Sequence, residues 1–334
     1  MGAMTRYPPI PCRLCPKGCR IPQGYAGDCR VRIHLEGRLL AVVYGRPVVW
    51  KALDPIEKKP LNHFLPGTGV LSLACVGCNL HCRNCQNWEI SQCDPEDQPA
   101  YPRVPPERPA RLARRHHIPS VAATYTEPFA WFEYTLDLFR AARAQGLKTV
   151  LVTAAYAERA PARELFSRTD AANIDLKALD DRFYRRICSA TLKPVLDNLV
   201  LAKEMGVWLE VTNLVIPTLN DSNEEIGRLC RWHLRNLGAH TPLHFSAFFP
   251  RHRLKNLPPT PASTLIRARK IALDEGLRFV YIGNLRGTEG SHTRCPGCGA
   301  LLIRRIGYHV EIRALDRDRG TCSRCGAVIP GRWR

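Results

Sequence analysis

The distribution of cysteine is the feature that most restricts what this chain can fold into. Twelve of its fifteen cysteines fall into three compact groups with ligand-like spacing, whereas buried cysteines that act as small hydrophobes would be scattered. A secreted disulfide scaffold would be much shorter than 334 residues. We therefore expect three metal-binding segments. The groups are Cys12, Cys15, Cys19 and Cys29; Cys75, Cys78, Cys82 and Cys85; and Cys295, Cys298, Cys322 and Cys325.

The last group consists of two Cys-x2-Cys-Gly turns separated by 23 residues. Each turn can present two thiolates to one ion, and the apolar residues between them fit a hairpin. We predict that residues 291–334 form a zinc-ribbon-like module in which Cys295, Cys298, Cys322 and Cys325 close a structural zinc site. A closed tetrahedral zinc site carries out no chemistry, so its role would be folding or docking.

The first group has the spacing C-x2-C-x3-C-x9-C. Four thiolates of this kind hold either zinc or an iron–sulfur cluster, and spacing does not separate the two. Glu36-Gly37, with apolar residues on both sides, predicts a hairpin just after this group. Residues 1–60 are therefore predicted to be a Cys-rich metal-binding segment with a hairpin, whose metal or second iron–sulfur cluster stays unassigned.

The middle group contains Cys78, Cys82 and Cys85 in the spacing C-x3-C-x2-C. Three thiolates leave one iron of a 4Fe–4S cluster open to a ligand from outside the protein. This motif resembles that of the radical S-adenosylmethionine (SAM) enzymes. The resemblance implies that SAM binds the open iron and is reductively cleaved to a 5′-deoxyadenosyl radical that abstracts hydrogen from a substrate. Cys75 would close the cluster as a fourth ligand, but it lies at the end of a predicted strand.

Short apolar strands alternate with helical stretches after residue 69, which predicts parallel strands joined by right-handed crossovers. We expect an α/β fold, a full or partial (β/α) barrel over residues 61–290, with its chemistry at the carboxyl ends of the strands. The predicted strands cover residues 70–74, 120–124, 148–153, 171–176, 207–213, 243–248 and 278–282.

Polar residues follow several of these strands where apolar ones would be expected, namely Glu127, Asp175, Lys177, Asn213 and His244. We interpret them as one cofactor-binding site. By resemblance, Glu127 matches the residue that contacts the SAM amino group. Asp175 and Lys177 match the Asp-Leu-Lys segment of the glycyl-radical-activating branch, and His244 matches a histidine of the sixth strand there.

The sequence departs from the usual radical SAM pattern at two positions, and it leaves the role of one further cysteine open. Tyr-Thr-Glu ending at Glu127 replaces the usual Gly-Gly-Glu, and Asn84 stands where an aromatic residue often precedes the third cysteine. Both bear on the fine geometry of SAM binding. Cys188 is either a thiol or radical participant in catalysis or a structural cysteine.

Several further motifs together resemble the AmmeMemoRadiSam-system radical SAM enzymes over nearly the whole length. The resemblance implies Memo-like and AMMECR-like proteins as partners, and a radical SAM enzyme needs a low-potential electron donor such as ferredoxin or flavodoxin. The motifs are Asp54–Phe64, Cys85–Ser91, Thr124–Pro128, Asn220–Ser222 and the terminal cysteine turns.

The sequence supports two hypotheses about the substrate class. Likeness to the activases suggests a radical installed on a protein partner, whereas the formal charge of +19 and the zinc ribbon suggest an RNA-modifying enzyme. A third hypothesis is a non-catalytic zinc-ribbon protein that binds nucleic acid. No apolar run of 18 residues and no signal sequence are present, so we expect a cytoplasmic protein without a membrane partner.

Overall fold

A central sheet of eight strands organises the protein, whose computed structural model describes residues 7–97, 102–285 and 289–334. Its strands follow one another in chain order, and all neighbours are parallel except the first pair. They are β5 (Val49–Pro55), β6 (Gly69–Ala74), β7 (Ser120–Ala123), β8 (Lys148–Thr153), β9 (Ala171–Asp175), β10 (Trp208–Val215), β11 (Leu243–Ala247) and β12 (Val280–Gly283).

The seven parallel strands match the seven predicted ones, because each is a short apolar run covered on both faces. Val70 to Ala74 of β6 are all buried. β5 was not predicted. It pairs antiparallel with β6 at the edge of the sheet and has several exposed residues, so it lacks the continuous apolar run of the other strands.

Helices connect successive parallel strands. The longest, α7, begins with an N-cap in which the Ser222 hydroxyl accepts from the Glu225 amide at 3.2 Å. The helices are α1 (Trp88–Ser91), α2 (Glu107–Arg115), α3 (Phe132–Ala144), α4 (Arg159–Phe166), α5 (Asp181–Phe183), α6 (Lys193–Glu204), α7 (Asn223–Leu237) and α8 (Ala262–Asp274), with a π-helical turn at Tyr184–Cys188.

The inner face of the sheet encloses residues 56–65. Ile56, Leu61 and Phe64 pack against Val70, Ala122 and Val150 and fill the amino-terminal end of the interior. No ladder joins β12 to β5 within the described residues, so the sheet forms a partial barrel. The predicted α/β fold is confirmed.

Small strands at both ends of the chain frame this sheet. The C-terminal module docks under the barrel, where Arg305 Nη2 donates to the Asn62 carbonyl at 2.7 Å and Phe64 forms a β-bridge with Arg332. None of the described helices is sufficiently long and apolar to cross a bilayer. The small strands are β1 (Ile10–Pro11), β2 (Arg20–Ile21), β3 (Arg32–Leu35), β4 (Arg38–Ala41), β13 (Thr293–Arg294), β14 (Leu301–Ile306), β15 (His309–Ile312), β16 (Leu315–Asp316) and β17 (Thr321–Cys322).

Candidate active site

The loop that leaves β6, residues 75–87, carries the three closely spaced cysteines and is called here the cysteine loop. Backbone hydrogen bonds fix its path, since His81 N donates to the Cys188 carbonyl at 3.0 Å and Arg83 N to the Ile187 carbonyl at 2.8 Å. Gly77 has a φ of +90°, and a Cβ there would lie 2.4 Å from Val31 Cγ1. Only glycine tolerates both conditions, so the loop is held at its start and middle.

The sulfur atoms of this loop lie in unequal surroundings. Burial raises the pKa values of Cys78 and Cys85, and Cys85 Sγ lies 3.3 Å from the Ser91 hydroxyl. A hydrogen bond from the Cys188 thiol lowers the pKa of Cys82 to about 7. Cys188 is buried beside Cys82, so the structure places this cysteine next to the loop that the sequence pattern singled out.

Cys75 is engaged outside this group of sulfurs. Its side chain is fully buried, and its thiol contacts the Val43 carbonyl at 3.7 Å. Burial raises its pKa as it raises those of Cys78 and Cys85, so the contact with Val43 rather than the titration distinguishes Cys75. Cys78, Cys82 and Cys85 remain as the candidate cluster ligands of the loop, the number that leaves one iron of a 4Fe–4S cluster open.

Glu127 is buried at the carboxyl end of β7, where its carboxylate bridges to β8. Thr153 Oγ1 donates to Glu127 Oε1 at 2.5 Å, and the Ala154 amide donates to Oε2 at 2.9 Å. Burial raises the pKa of Glu127 to about 7, although these hydrogen bonds act in the opposite direction. The carboxylate is rigidly placed and electrostatically close to Cys78.

Asp175 and Lys177 form an ion pair after β9, with Lys177 Nζ 2.8 Å from Asp175 Oδ2. Burial alone would lower the pKa of Lys177, but Asp175 and Cys82 raise it, so the side chain is a cation beside the cysteine loop. The backbone here is held by two amides. Asn213 Nδ2 donates to the Leu176 and Lys177 carbonyls, and Asn220 Nδ2 donates to the Lys177 carbonyl at 2.7 Å.

His244 is placed elsewhere. It lies at the beginning of β11, its Nε2 is 2.7 Å from Glu210 Oε2, and its ring stacks on Tyr281. Glu210 also accepts from the Asn62 and His63 amides, so these groups form the floor of the barrel above the C-terminal module. The structure brings Glu127, Asp175 and Lys177 to the cysteine loop, whereas the His244 side chain pairs with Glu210 in this floor.

A second polar cluster inside the barrel was missed from the sequence. Asp54 accepts from Lys58, Lys59 and Ser72 at 2.7 Å and from the Tyr125 hydroxyl at 2.5 Å. Burial lowers the pKa of Lys59 to about 8. The Tyr125 carbonyl accepts from Asn87 at the end of the cysteine loop, so the cluster adjoins that loop. The sequence signals were the motifs Asp54–Phe64 and Thr124–Pro128, which did not show that their side chains meet.

The C-terminal cysteines form a contracted group. Sγ distances are 3.6 Å between Cys295 and Cys325 and 3.7 Å between Cys298 and Cys322. Four sulfurs at about 2.3 Å from one tetrahedral zinc lie about 3.8 Å apart, so this group could hold a single ion. In residues 7–97, 102–285 and 289–334, no other set of three or more His, Cys, Asp or Glu brings all its ligand atoms within 4.8 Å of one another.

Comparison with known proteins places this geometry in a family. The sequence model of the radical SAM superfamily matches residues 73–230, from β6 and the cysteine loop into α7. The chain belongs to the radical SAM superfamily. Members of the superfamily are enzymes, and membership implies a 4Fe–4S cluster and SAM.

Similar proteins include one that is uncharacterised and several activating enzymes. The uncharacterised protein MJ0808 of Methanocaldococcus jannaschii is 45% identical over 320 residues, which are 96% of this chain and 95% of that one. The pyruvate formate-lyase-activating enzyme of Clostridium pasteurianum is 30% identical over 97 residues, 29% of this chain and 40% of that one. The isethionate sulfite-lyase activating enzyme of Oleidesulfovibrio alaskensis is 26% identical over 45% of this chain and 47% of that one. The chain thus spans less than half of these two activating enzymes.

The superfamily fold is also found among solved structures. SuiB of Streptococcus suis aligns with a TM-score of 0.52 and 15% identity over 69% of this chain and 52% of that one. A second SuiB structure, which contains S-adenosylmethionine, gives the same TM-score at 16% identity. At these identities the likeness concerns the fold alone.

Proposed function

We propose that this protein is a radical SAM enzyme of the AmmeMemoRadiSam group whose substrate is a protein partner, so that it acts as an activase. The observation that carries the proposal is the meeting of three loop cysteines with Glu127 and the Asp175–Lys177 pair at one edge of the sheet. The characterised relatives are activating enzymes, which supports a protein as the target.

Cys78, Cys82 and Cys85 would hold the 4Fe–4S cluster. With one electron from a reduced ferredoxin or flavodoxin, the bound cluster and SAM together supply a 5′-deoxyadenosyl radical. Glu127 lies close to Cys78, where a carboxylate would bind the SAM amino group. Lys177 would bind the SAM carboxylate or ribose while Asp175 fixes its direction.

Asn213 and Asn220 keep the Lys177 backbone in place from β10 and the loop before α7. Asn213 therefore acts on SAM through Lys177 rather than by contact, because its amide hydrogens are already donated. His244 would serve the floor of the barrel. Cys188 would be structural, since it is buried and its carbonyl anchors the cysteine loop.

The surface beside the cysteine loop suits a macromolecular partner. Trp88 and Phe249 are 41% and 43% exposed, and the Trp88 ring stacks on His252. Arg83 and Arg253 meet here through a backbone hydrogen bond of 2.8 Å. Exposed aromatic rings with arginines are the residues that dominate protein interfaces. A Memo-like or AMMECR-like protein is the proposed partner.

The chain would be divided as its cysteines suggest: residues 1–60 as a metal-binding segment, 61–290 as the catalytic barrel, and 291–334 as a zinc ribbon. Zinc is the proposed ion of the C-terminal group because the two sulfur separations fit a tetrahedron around one ion. Because residues 291–334 contact the floor of the barrel, we propose that this module has a docking role.

The decisive experiment is anaerobic reconstitution with iron and sulfide, reduction with dithionite, and chromatography for 5′-deoxyadenosine after SAM is added. We expect the product from the wild type and from Cys93→Ser, a control outside the three cysteine groups, but not from Cys82→Ala. Product formation by Cys82→Ala would refute the assignment.

The substrate class is then tested by adding a Memo-like protein, an AMMECR-like protein or tRNA to the active enzyme. Increased 5′-deoxyadenosine with either protein, and a radical signal on that protein in electron paramagnetic resonance (EPR), is the expected result. Stimulation by tRNA alone would replace the activase proposal with RNA modification.

A further inference from the structure

The N-terminal cysteines lie outside the match to the superfamily model, and they surround a cavity. Cys12, Cys15, Cys19 and Cys29 line a space of about 390 Å³, counted with its opening to solvent. The short β1–β2 pairing brings the first and third cysteines together, since Cys12 N donates to the Cys19 carbonyl at 2.7 Å. The radical SAM match begins only at residue 73, so these four cysteines lie outside it.

The spacing of the sulfur atoms distinguishes a single ion from a cluster. The C-terminal cysteines are drawn together to the separation that one tetrahedral ion requires. Among the described residues, neither the N-terminal four nor the three of the cysteine loop form a group whose sulfurs all lie within 4.8 Å of one another. Thiolates bound to different irons stand farther apart than thiolates on one ion, because the iron–sulfide core lies between them.

The walls of the cavity suit an anionic iron–sulfur core. Leu14, Ile21 and Phe129 contribute apolar surface, and the cations Lys17 and Arg32 pair with Asp28 at 2.9 Å and with Glu133 at 2.7 Å. Arg32 is 4% exposed, and its Nε has no hydrogen-bond acceptor among the residues that the structure describes. A bound cluster would offer sulfur acceptors to this buried N–H, whose unsatisfied state otherwise costs free energy.

This cavity shares a wall with the cysteine loop. Asn79, the residue after Cys78, lines the cavity. Asp28 Oδ2 lies 2.9 Å from Nε2 of His81, the residue before Cys82. A Cβ on Gly77 would lie 2.9 Å from the Cys29 carbonyl, so the two segments are in direct backbone contact.

We propose that Cys12, Cys15, Cys19 and Cys29 hold a second, closed 4Fe–4S cluster that relays electrons to the cluster site of the cysteine loop. A low-potential one-electron donor reduces the N-terminal site by one electron. That electron then passes to the cysteine loop, and the N-terminal site returns to its oxidised state. The relay rests on the proposed function, whereas the presence of the second cluster does not.

Metal content tests the cluster without any activity measurement. The variant Cys78→Ala/Cys82→Ala/Cys85→Ala leaves the N-terminal site intact. After anaerobic reconstitution we expect about eight irons per chain in the wild type and in Cys93→Ser, and about four irons with an EPR signal after reduction in the triple variant. A triple variant with about two zincs and no iron would overturn the proposal.

The relay is tested with the converse variant, Cys15→Ser/Cys29→Ser, checked for its native circular dichroism. We expect it to lose about four irons and to lose the fast reduction of the remaining cluster by photoreduced flavodoxin. Unchanged reduction kinetics would refute the relay.

The outcomes separate the two proposals. If the wild type cleaves SAM and its triple variant contains zinc alone, this inference fails and the proposed function stands. If about eight irons are present but SAM is not cleaved, the proposed function and the relay fail and the second cluster stands.

Discussion

Replacement of His244 by alanine separates a role in SAM binding from a role in the floor of the barrel. His244 Nε2 lies 2.7 Å from Glu210 Oε2, and both side chains are buried. A hydrogen bond to a charged group contributes about 1.5–3 kcal/mol, and the stacked contact with Tyr281 contributes about 1 kcal/mol. We therefore expect His244→Ala to lower the free energy of unfolding by about 3 kcal/mol.

SAM binding should respond differently, since the structure places His244 among Glu210 and Tyr281 rather than at the cysteine loop. Denaturant unfolding followed by circular dichroism gives the first quantity, and equilibrium dialysis of the folded, reconstituted variant gives the second. We expect the SAM dissociation constant to stay within about twofold of the wild-type value, which is below 0.5 kcal/mol.

His244→Gln is the matched control, because its amide can still donate to Glu210 but cannot stack on Tyr281. We expect it to lose about 1 kcal/mol. The reasoning is wrong if His244→Ala keeps its unfolding free energy and binds SAM about tenfold more weakly, a change of about 1.4 kcal/mol.

Three further predictions concern Lys59, Cys298 and Cys188. Lys59 has a pKa of about 8 in the folded protein and of 10.5 ordinarily, so the unfolded chain binds more protons between these two pH values. In that range the unfolding free energy of the wild type should rise with pH by up to about 1.4 kcal/mol per pH unit relative to Lys59→Met. Equal slopes for the two proteins would contradict this prediction. Cys298→Ser should lose about one zinc per chain and melt earlier, whereas Cys93→Ser should lose none; equal zinc in both would reject a zinc site at the C-terminal cysteines. Cys188→Ser should retain its iron and SAM cleavage; loss of about four irons would make Cys188 a cluster ligand.

The fold could be predicted from the sequence to the extent that its signals are local. Apolar runs of four to eight residues marked the seven parallel strands because both faces of such strands are buried. β5 was missed because it lies at an edge with exposed residues such as Lys51 and Leu53. Its pairing with β6 depends on a distant part of the chain, which periodicity does not report.

The residues of the candidate site could likewise be predicted only where the signal in the sequence is local. Glu127, Asp175 and Lys177 could be found because they follow or end parallel strands of one sheet, β7 and β9, whose carboxyl ends lie at the same edge. His244 lies beside Thr212 of β10, which in turn lies beside Asp175 of β9, so the register alone does not separate it from the site. Only the side-chain hydrogen bond shows that His244 reaches Glu210, which lies two residues before Thr212 on the same face of β10.

The sequence by itself determined where cysteines cluster, where strands and helices alternate, and that Gly77 precedes the cysteine motif. These are properties of neighbouring residues, so spacing and periodicity are sufficient to read them. Tertiary structure alone decided that Cys188 lies beside Cys82 and that Lys59 reaches Asp54 under Tyr125. It also decided that the four C-terminal sulfurs all lie within 4.8 Å of one another, as one ion would require, whereas the N-terminal four do not, because such distances are set by packing between segments far apart in the chain.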